Sequence, residues 1–596
     1  MKKLVRVIML FVFTFVLTGM PEADVRAAML GEEFLPAAYM NDIDEVNARF
    51  PATREQKYDD CWSFSTVGLA EFDLIVDNGV VDRTVDFSEL ELNYATYHFI
   101  EDAFGGLSGD RVTLLNGKDF LTLGGNLNFA VQALLQWKGL TAESFLPYEQ
   151  ARNPLTVLGE EIRQNCEAHL QNVYRLSMRK NRNGVKREIM RHGAAGISFY
   201  AATGALEKSR YTGSAAYRGK TVPTYYCYDS SRYANHAVNI IGWDDDFPAD
   251  NFANPAPENG AWLVRNSWSS SGTYNTDTSA YFWMSYCDKS LTDEVWILDF
   301  EEADNYDYNY QYDGGIFCEN VSSSLDYDAV ANVFQVKGEK NEALEAVLFQ
   351  AMENANVSYT IRIYTDLRDP AKPDSGYLAA TLSGKADYAG AHTIPLEDPV
   401  PLAKGSLFSV VVEETNVDVE CGIKVRSYGY MTEVSLDEGQ SFARTGDGWI
   451  DMKYAQSTAR IKGLAGVEVR TGNWCIKAYT GSLGGKKVAK VGKVKKQETA
   501  ADSITLKWDE VSGASGYEIF RSTSPNGVYK KVAAVKGGAK TTYKDSGLKK
   551  DKTYFYCVRA YRNVKTVDED GAEEKVTTVG MMSNVKAVKT KKSGKG

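Results

Sequence analysis

Gln56-Lys57-Tyr58-Asp59-Asp60-Cys61-Trp62-Ser63-Phe64-Ser65 is a polar loop that breaks directly into an apolar run. Beyond Cys61, the residues Trp62, Phe64, Val67, Leu69, Ala70, Phe72 and Ile75 recur at roughly helical spacing until Asn78-Gly79. That pattern predicts a buried helix with Cys61 in its first turn. Unpaired N–H groups and the positive end of the helix dipole favour the thiolate there, and the thiolate is the nucleophilic form of cysteine. A cysteine at a helix start is more often a small core residue than a nucleophile, so a catalytic reading needs a base and an orienting group from elsewhere in the chain.

Both are present. The five histidines are His98, His169, His192, His236 and His392. His236 opens the β-branched apolar run Asn235-His236-Ala237-Val238-Asn239-Ile240-Ile241-Gly242-Trp243, which reads as a buried strand with the imidazole at its mouth. Next, Ala261-Trp262-Leu263-Val264-Arg265-Asn266-Ser267-Trp268 reads as a short strand delivering an Asn with a Trp two residues beyond. Farther upstream, Gly124-Gly125-Asn126 precedes Leu127, Ala130, Val131 and Leu134 at helical spacing, with Asn126 a candidate N-cap and Gly139 a stop.

Gln56, Cys61-Trp62, His236-Ala237 and Asn266-Ser267-Trp268, four separated matches in one chain order, resemble the papain family of cysteine peptidases over about residues 35 to 290. The resemblance implies a two-lobed α+β catalytic domain that hydrolyses peptide bonds as an endopeptidase, with a polypeptide substrate, no cofactor and no metal. It implies Cys61 as nucleophile, His236 as base and then acid, and Asn266 as orienter of the imidazole. Trp268 would shield that contact from water. The Gln56 amide and the Cys61 N–H would form the oxyanion hole, and Gly124 and Gly125 would line the substrate cleft, where backbone groups pair with an extended peptide. Transfer of the acyl group to an amine would use the same groups.

Several features depart from the family pattern. Gln56 stands five residues before Cys61 where the family has six, and Asp59 and Asp60 replace small residues. Carboxylates so close disfavour a thiolate unless they face solvent. Tyr58, Asp59 and Asp60 leave no cysteine for the family's nearby disulfide, and the eight cysteines are spread too thinly for a disulfide framework. Cys61 and His236 are 175 positions apart, against roughly 130 to 150 in papain and cathepsins. Ser269 to Asn275 replaces the usual Gly- and Trp-containing loop. The acidic loop Asp244-Asp245-Asp246 with Asp250 is expected to be a solvated hairpin rather than a calcium site.

At 596 residues the chain exceeds what one hydrophobic core serves. Residues 1–27, with Lys2, Lys3 and Arg6 ahead of the apolar run Val7 to Leu17 and small residues near Ala27, read as a signal peptide. The expectation is therefore a secreted, extracellular protein, free or associated with the cell wall, with no stable transmembrane anchor. Between Ala27 and the Leu35-Pro36-Ala37-Ala38-Tyr39 stretch there is no room for a long inhibitory propeptide.

The peptidase domain is expected over 28–300, with a Tyr-rich connector at 301–315. Alternating segments such as Val357 to Tyr364 and Leu407 to Val412 predict a β-sandwich over 316–480, which resembles the lectin-like domain of secreted bacterial papain-like peptidases. A basic Gly/Lys linker is expected over 481–497. Residues 498–590 resemble a fibronectin type III domain, with Trp508 in its core and Tyr554 as its tyrosine corner. The fold class is thus a papain-like α+β domain followed by two all-β sandwiches.

The formal net charge is −12, yet residues 481–596 alone hold 25 Lys/Arg against 12 Asp/Glu. In an exported protein that basic tail suits an anionic cell-wall polymer or glycan. Nucleic acid is not the expected partner, because no recognition motif accompanies the charge and the chain is expected to be exported. The competing function is a surface adhesin or wall-binding protein with a vestigial peptidase domain.

Overall fold

The computed structural model describes residues 35–41, 53–77, 85–151, 159–268, 280–320, 326–338, 342–424, 429–455, 468–482, 488–489, 491–523, 530–567, 573–579, 583 and 585–592. The segment 1–27 expected to be a signal peptide, the expected stop Asn78-Gly79 and the loop Ser269 to Asn275 lie outside these residues. Among the described residues no helix is long and apolar enough to cross a membrane.

The periodicity after Cys61 becomes a helix over Cys61–Val76, buried from Trp62 to Ile75 because it lies between two layers. On one side it meets the helices Glu89–Tyr97 and Leu127–Leu135. The second of these is capped as its sequence predicts, with Asn126 Oδ1 accepting the Phe129 N–H at 3.0 Å. On the other side lie the strands His236–Asp244 and Glu294–Glu302 of a large sheet. Gly68 permits the close approach to the sheet, since a Cβ there would stand 2.5 Å from Asn239 Nδ2. Ser65 and Asn239 then lock the two elements together: Ser65 Oγ donates to Asn239 Oδ1 at 2.6 Å, and Asn239 Nδ2 returns a bond to Ser65 O at 3.0 Å.

The sheet has thirteen strands among the described residues and runs through two expected domains. From one edge its order is Tyr308–Tyr310, Ile476–Ser482, Glu342–Ala351, Ala389–Leu402, Ala168–Ser177, Glu294–Glu302, Ala195–Phe199, His236–Asp244, Ala261–Arg265, Tyr281–Ser285, Lys220–Tyr225 and Thr212–Tyr217. Ala38–Met40 pairs separately with His236–Asp244, so the Leu35 to Tyr39 stretch begins the fold.

The seam between the domains is a ladder in which Ala389 faces Arg175 and Ala391 faces Val173. Gly390 lies between them at φ +143, and a Cβ there would stand 1.7 Å from Val173 O, so only glycine fits. A second ladder joins Arg111–Leu114 to Tyr430–Glu433. The lectin-like region therefore extends the peptidase sheet instead of standing apart as a separate sandwich. Its own core fills the space between this sheet (Leu344, Val347, Phe349, Ile476) and a six-stranded sheet bearing Val330, Phe334, Ile361 and Val410.

Two segments expected to be connectors are built into these layers. Within 301–315, Tyr308–Tyr310 is an edge strand, and Asp313 is buried with both carboxylate oxygens on Lys477 Nζ at 2.8 Å. Within 481–497, Val488, Val491 and Val494 pack into the C-terminal core around Trp508, and the strand Lys495–Thr499 begins a three-stranded sheet. Composition pointed to a linker in both places; burial of their apolar side chains is what makes them structure. The C-terminal unit sets that three-stranded sheet against a five-stranded one, with Trp508, Tyr517 and Tyr556 fully buried. Tyr554 OH accepts the Lys549 N–H at 2.9 Å, which is the bond a tyrosine corner makes.

Candidate active site

The Cys61 helix and the His236 strand meet at the mouth of a cleft with a volume of about 410 Å³. Gln56, Asp59, Cys61, Trp62, Leu123, Gly124 and Gly125 form its helical side, and Ala201, Thr203, Asn235, His236 and Trp268 form its sheet side. Six of the seven residues singled out from sequence line this one space, and the seventh, Asn266, lies directly behind the imidazole.

Cys61 is the first residue of its helix, and its Sγ accepts the Ala237 N–H at 3.4 Å, which ties the sulfur to the start of the His236 strand. His236 Nε2 is 2.7 Å from Asn266 Oδ1. The same Oδ1 accepts the Ser267 N–H at 2.8 Å, which identifies it as the amide oxygen. An amide oxygen can only accept, so Nε2 carries the proton and Nδ1 keeps its lone pair. Trp268 stacks on the imidazole with ring centroids 4.4 Å apart and covers that hydrogen bond.

Gln56 is anchored at both ends of its amide. Oε1 accepts from Ser267 Oγ at 2.7 Å, and Nε2 donates to Tyr58 O at 2.8 Å, which leaves the second Nε2 hydrogen for another acceptor. The Gln56 N–H also donates to Ser267 O at 2.7 Å. The shortened Gln56 to Cys61 loop is thus held against the Asn266-Ser267-Trp268 segment and keeps Gln56 on the cleft. Gly125 lies against Trp62, where a Cβ would come within 2.5 Å of the indole ring. Gly124 has φ +82, and its carbonyl accepts one bond from Tyr97 OH at 2.6 Å, which uses one of that oxygen's two lone pairs.

The two carboxylates beside Cys61 differ in their exposure. Asp59 is exposed, but Asp60 is fully buried, with Oδ2 accepting from Tyr148 OH at 2.8 Å and no partner for Oδ1 among the described residues. Burial, against the Tyr148 hydrogen bond, pushes the Asp60 carboxyl up to about 7. Burial also raises the Cys61 thiol to about 11, opposed by the Ala237 hydrogen bond and reinforced by Asp60. It lowers His236 to about 4 against the Asn266 hydrogen bond. Moving the proton from Sγ to the imidazole across the cleft they share makes both charges at once, and attraction between opposite charges offsets part of the desolvation.

Sequence reasoning missed Tyr148, which holds the nucleophile loop through Asp60 and also accepts the Lys57 N–H at 3.0 Å. It missed Asn239 as well, although that residue lies inside the quoted strand. The acidic loop meets protein cations: Asp244 accepts from Arg218 Nη2 at 2.6 Å, and Asp245 pairs with Lys186.

Residues 42–294 match the family described as papain family cysteine protease, and residues 309–480 match the lectin like domain family. No curated protein matches the chain in a sequence search. Among solved structures, the chain is similar to the clostridial cysteine protease Cwp84 after propeptide cleavage, with 24% identity and TM-score 0.54 over 75% of this chain and 99% of that one. A second structure, the cysteine protease and lectin-like domains of Cwp84, a surface layer associated protein of Clostridium difficile, gives 23% identity and TM-score 0.54 over 76% of this chain and 90% of that one.

Proposed function

The chain carries a papain-family cysteine peptidase domain joined to a lectin-like domain, and from this premise we propose that it is an exported endopeptidase in which Cys61, His236 and Asn266 form the catalytic triad. The observation that carries the proposal is the His236 Nε2 to Asn266 Oδ1 bond of 2.7 Å, which leaves a basic Nδ1 on the ring that shares a cleft with Cys61.

Nδ1 takes the thiol proton, and the thiolate attacks the peptide carbonyl. The oxyanion is met by the Cys61 N–H at the helix start and by the second Gln56 Nε2 hydrogen; losing one such donor typically costs about 3 kcal/mol of transition-state stabilisation. The imidazolium then protonates the leaving amine, and water, deprotonated by the same ring, hydrolyses the thioester. Trp268 keeps water from the His236–Asn266 bond, and Gly125 lets an extended peptide approach Trp62.

The lectin-like and C-terminal units are proposed to hold the enzyme at the cell surface through a glycan or an anionic wall polymer. The basic excess over 481–596 supports this role, as does the description of Cwp84 as surface layer associated. The test of the catalytic proposal is to treat the purified protein with an epoxide inhibitor of papain-like enzymes and map the modified residue. Modification of Cys61 alone, with loss of peptide hydrolysis, is expected; full modification of another cysteine, or none, would remove the triad assignment.

A further inference from the structure

The catalytic reading gives no role to one feature of the cleft. Asp59 stands on the helical side, exposed, and its N–H donates to Leu121 O at 3.1 Å, which fixes it beside the segment leading into Leu123 and Gly125. Its carboxylate makes no hydrogen bond or ion pair among the described residues. It is the one carboxylate on the cleft lining described, and no lysine or arginine lines that cleft. An unpaired negative charge next to the nucleophile is a poor choice for generating a thiolate, so its position calls for a use in binding.

The direction of the substrate follows from the chemistry. The leaving nitrogen must receive a proton from His236, which stands on the sheet side with Trp268 and Asn235. The residue supplying the attacked carbonyl therefore extends toward the opposite side, where Asp59 waits. We propose that Asp59 selects peptides with a lysine or arginine at the residue whose carbonyl Cys61 attacks. The proposal rests on the peptidase reading and adds its substrate class. A cation reaching over the Cys61 loop meets the free carboxylate, and an acidic side chain in the same place is repelled. The chain's net charge of −12 adds a general attraction for basic substrates. Because Asp59 is open to water, the discrimination is modest, about tenfold between a charged and a neutral side chain of equal length, and it weakens with salt.

The test uses the full-length protein and four fluorogenic peptides that differ only at that residue: lysine, acetyl-lysine, glutamine and glutamate. In the wild type, kcat/KM for lysine should exceed that for acetyl-lysine about tenfold, with glutamate the poorest. Asp59→Asn should bring the lysine to acetyl-lysine ratio close to one, and Asp59→Glu should keep it. Because the readout is a ratio within one preparation, a partly folded variant does not imitate the effect. Equal cleavage of all four peptides by the wild type, or a ratio untouched by Asp59→Asn, overturns this inference and leaves the peptidase reading standing. Cleavage of none, with Cys61 unlabelled by the epoxide, overturns both.

Discussion

Replacing Asp60 by Asn changes one charge and little else, because the amide oxygen can still accept the Tyr148 hydroxyl bond that the carboxylate takes at 2.8 Å. Asp60 is buried and titrates at about 7, so in the wild type its negative charge appears between about pH 6 and 8. Its effect on Cys61 is smaller than that of burial but of the same direction; for scale, a unit charge about 5 Å from a thiolate in an effective dielectric of about 20 is worth at most about 3 kcal/mol, or about two pH units. Asp60→Asn should therefore move the pH at which Cys61 reacts with a soluble thiol reagent down by one to two units, with the difference growing above pH 7. The same substitution tests linkage. The folded protein keeps the Asp60 proton to about pH 7, whereas the unfolded chain releases it near 3.8. Stability from this group therefore falls as pH rises from about 4 to 7 and levels above, by up to about 4 kcal/mol. Urea unfolding at pH 5 and pH 8 should show a shallower decline in the variant, even if the buried amide costs a pH-independent 1–3 kcal/mol or so. Identical reactivity profiles together with parallel stability curves would refute the assignment of a titrating, buried charge beside the sulfur.

Three further outcomes are expected. Gly125→Ala, whose Cβ would lie 2.5 Å from the Trp62 ring, should destabilise by about 1–3 kcal/mol in urea and lower kcat/KM, because the glycine or the indole, both on the cleft lining, must shift. Gly390→Ala sets a Cβ 1.7 Å from Val173 O at φ +143; it should open the ladder between the peptidase and lectin-like regions, detectable as new cleavage near the seam in limited proteolysis, with an unchanged digestion pattern as the contrary result. Removing residues 481–592 should disturb the last strand of the shared sheet, so the informative truncation starts after Ser482; it should leave hydrolysis of a small peptide nearly unchanged, while retention on cell envelopes falls and the full-length protein's retention weakens with salt.

What could be read from sequence was what local chemistry controls. Cys61, His236 and Asn266 each sit at the end of a short element whose own periodicity marks that end, so the helix start and both strand ends emerged where expected. The environment of Asp60 could not be read this way, because its hydrogen-bond partner Tyr148 is 88 positions away and nothing near Asp60 signals burial. The condition set on the two carboxylates, that they face solvent, is therefore met by Asp59 and not by Asp60. The shared sheet was hidden for the same reason: the pairing of Ala389–Leu402 with Ala168–Ser177 joins segments more than two hundred positions apart. Composition alone suggested a connector around Tyr310 and a linker around Val491, but both side chains are buried. Tyrosine and lysine content describes a segment's average character and says nothing about which face meets a core.

Whether Cys61 performs the chemistry is decided by turnover of one fluorogenic peptide by Cys61→Ala measured beside the wild type. Cys61→Ala removes the hydrogen bond that the sulfur accepts from the Ala237 N–H at 3.4 Å and leaves in place the residues Trp62 to Ile75 that bury the helix, so the variant should fold and melt as the wild type does. Hydrolysis by the wild type and only the uncatalysed background for Cys61→Ala, with coincident circular dichroism spectra, is the expected result for a Cys61 nucleophile. Turnover retained by Cys61→Ala would contradict it and put the nucleophile elsewhere in the chain.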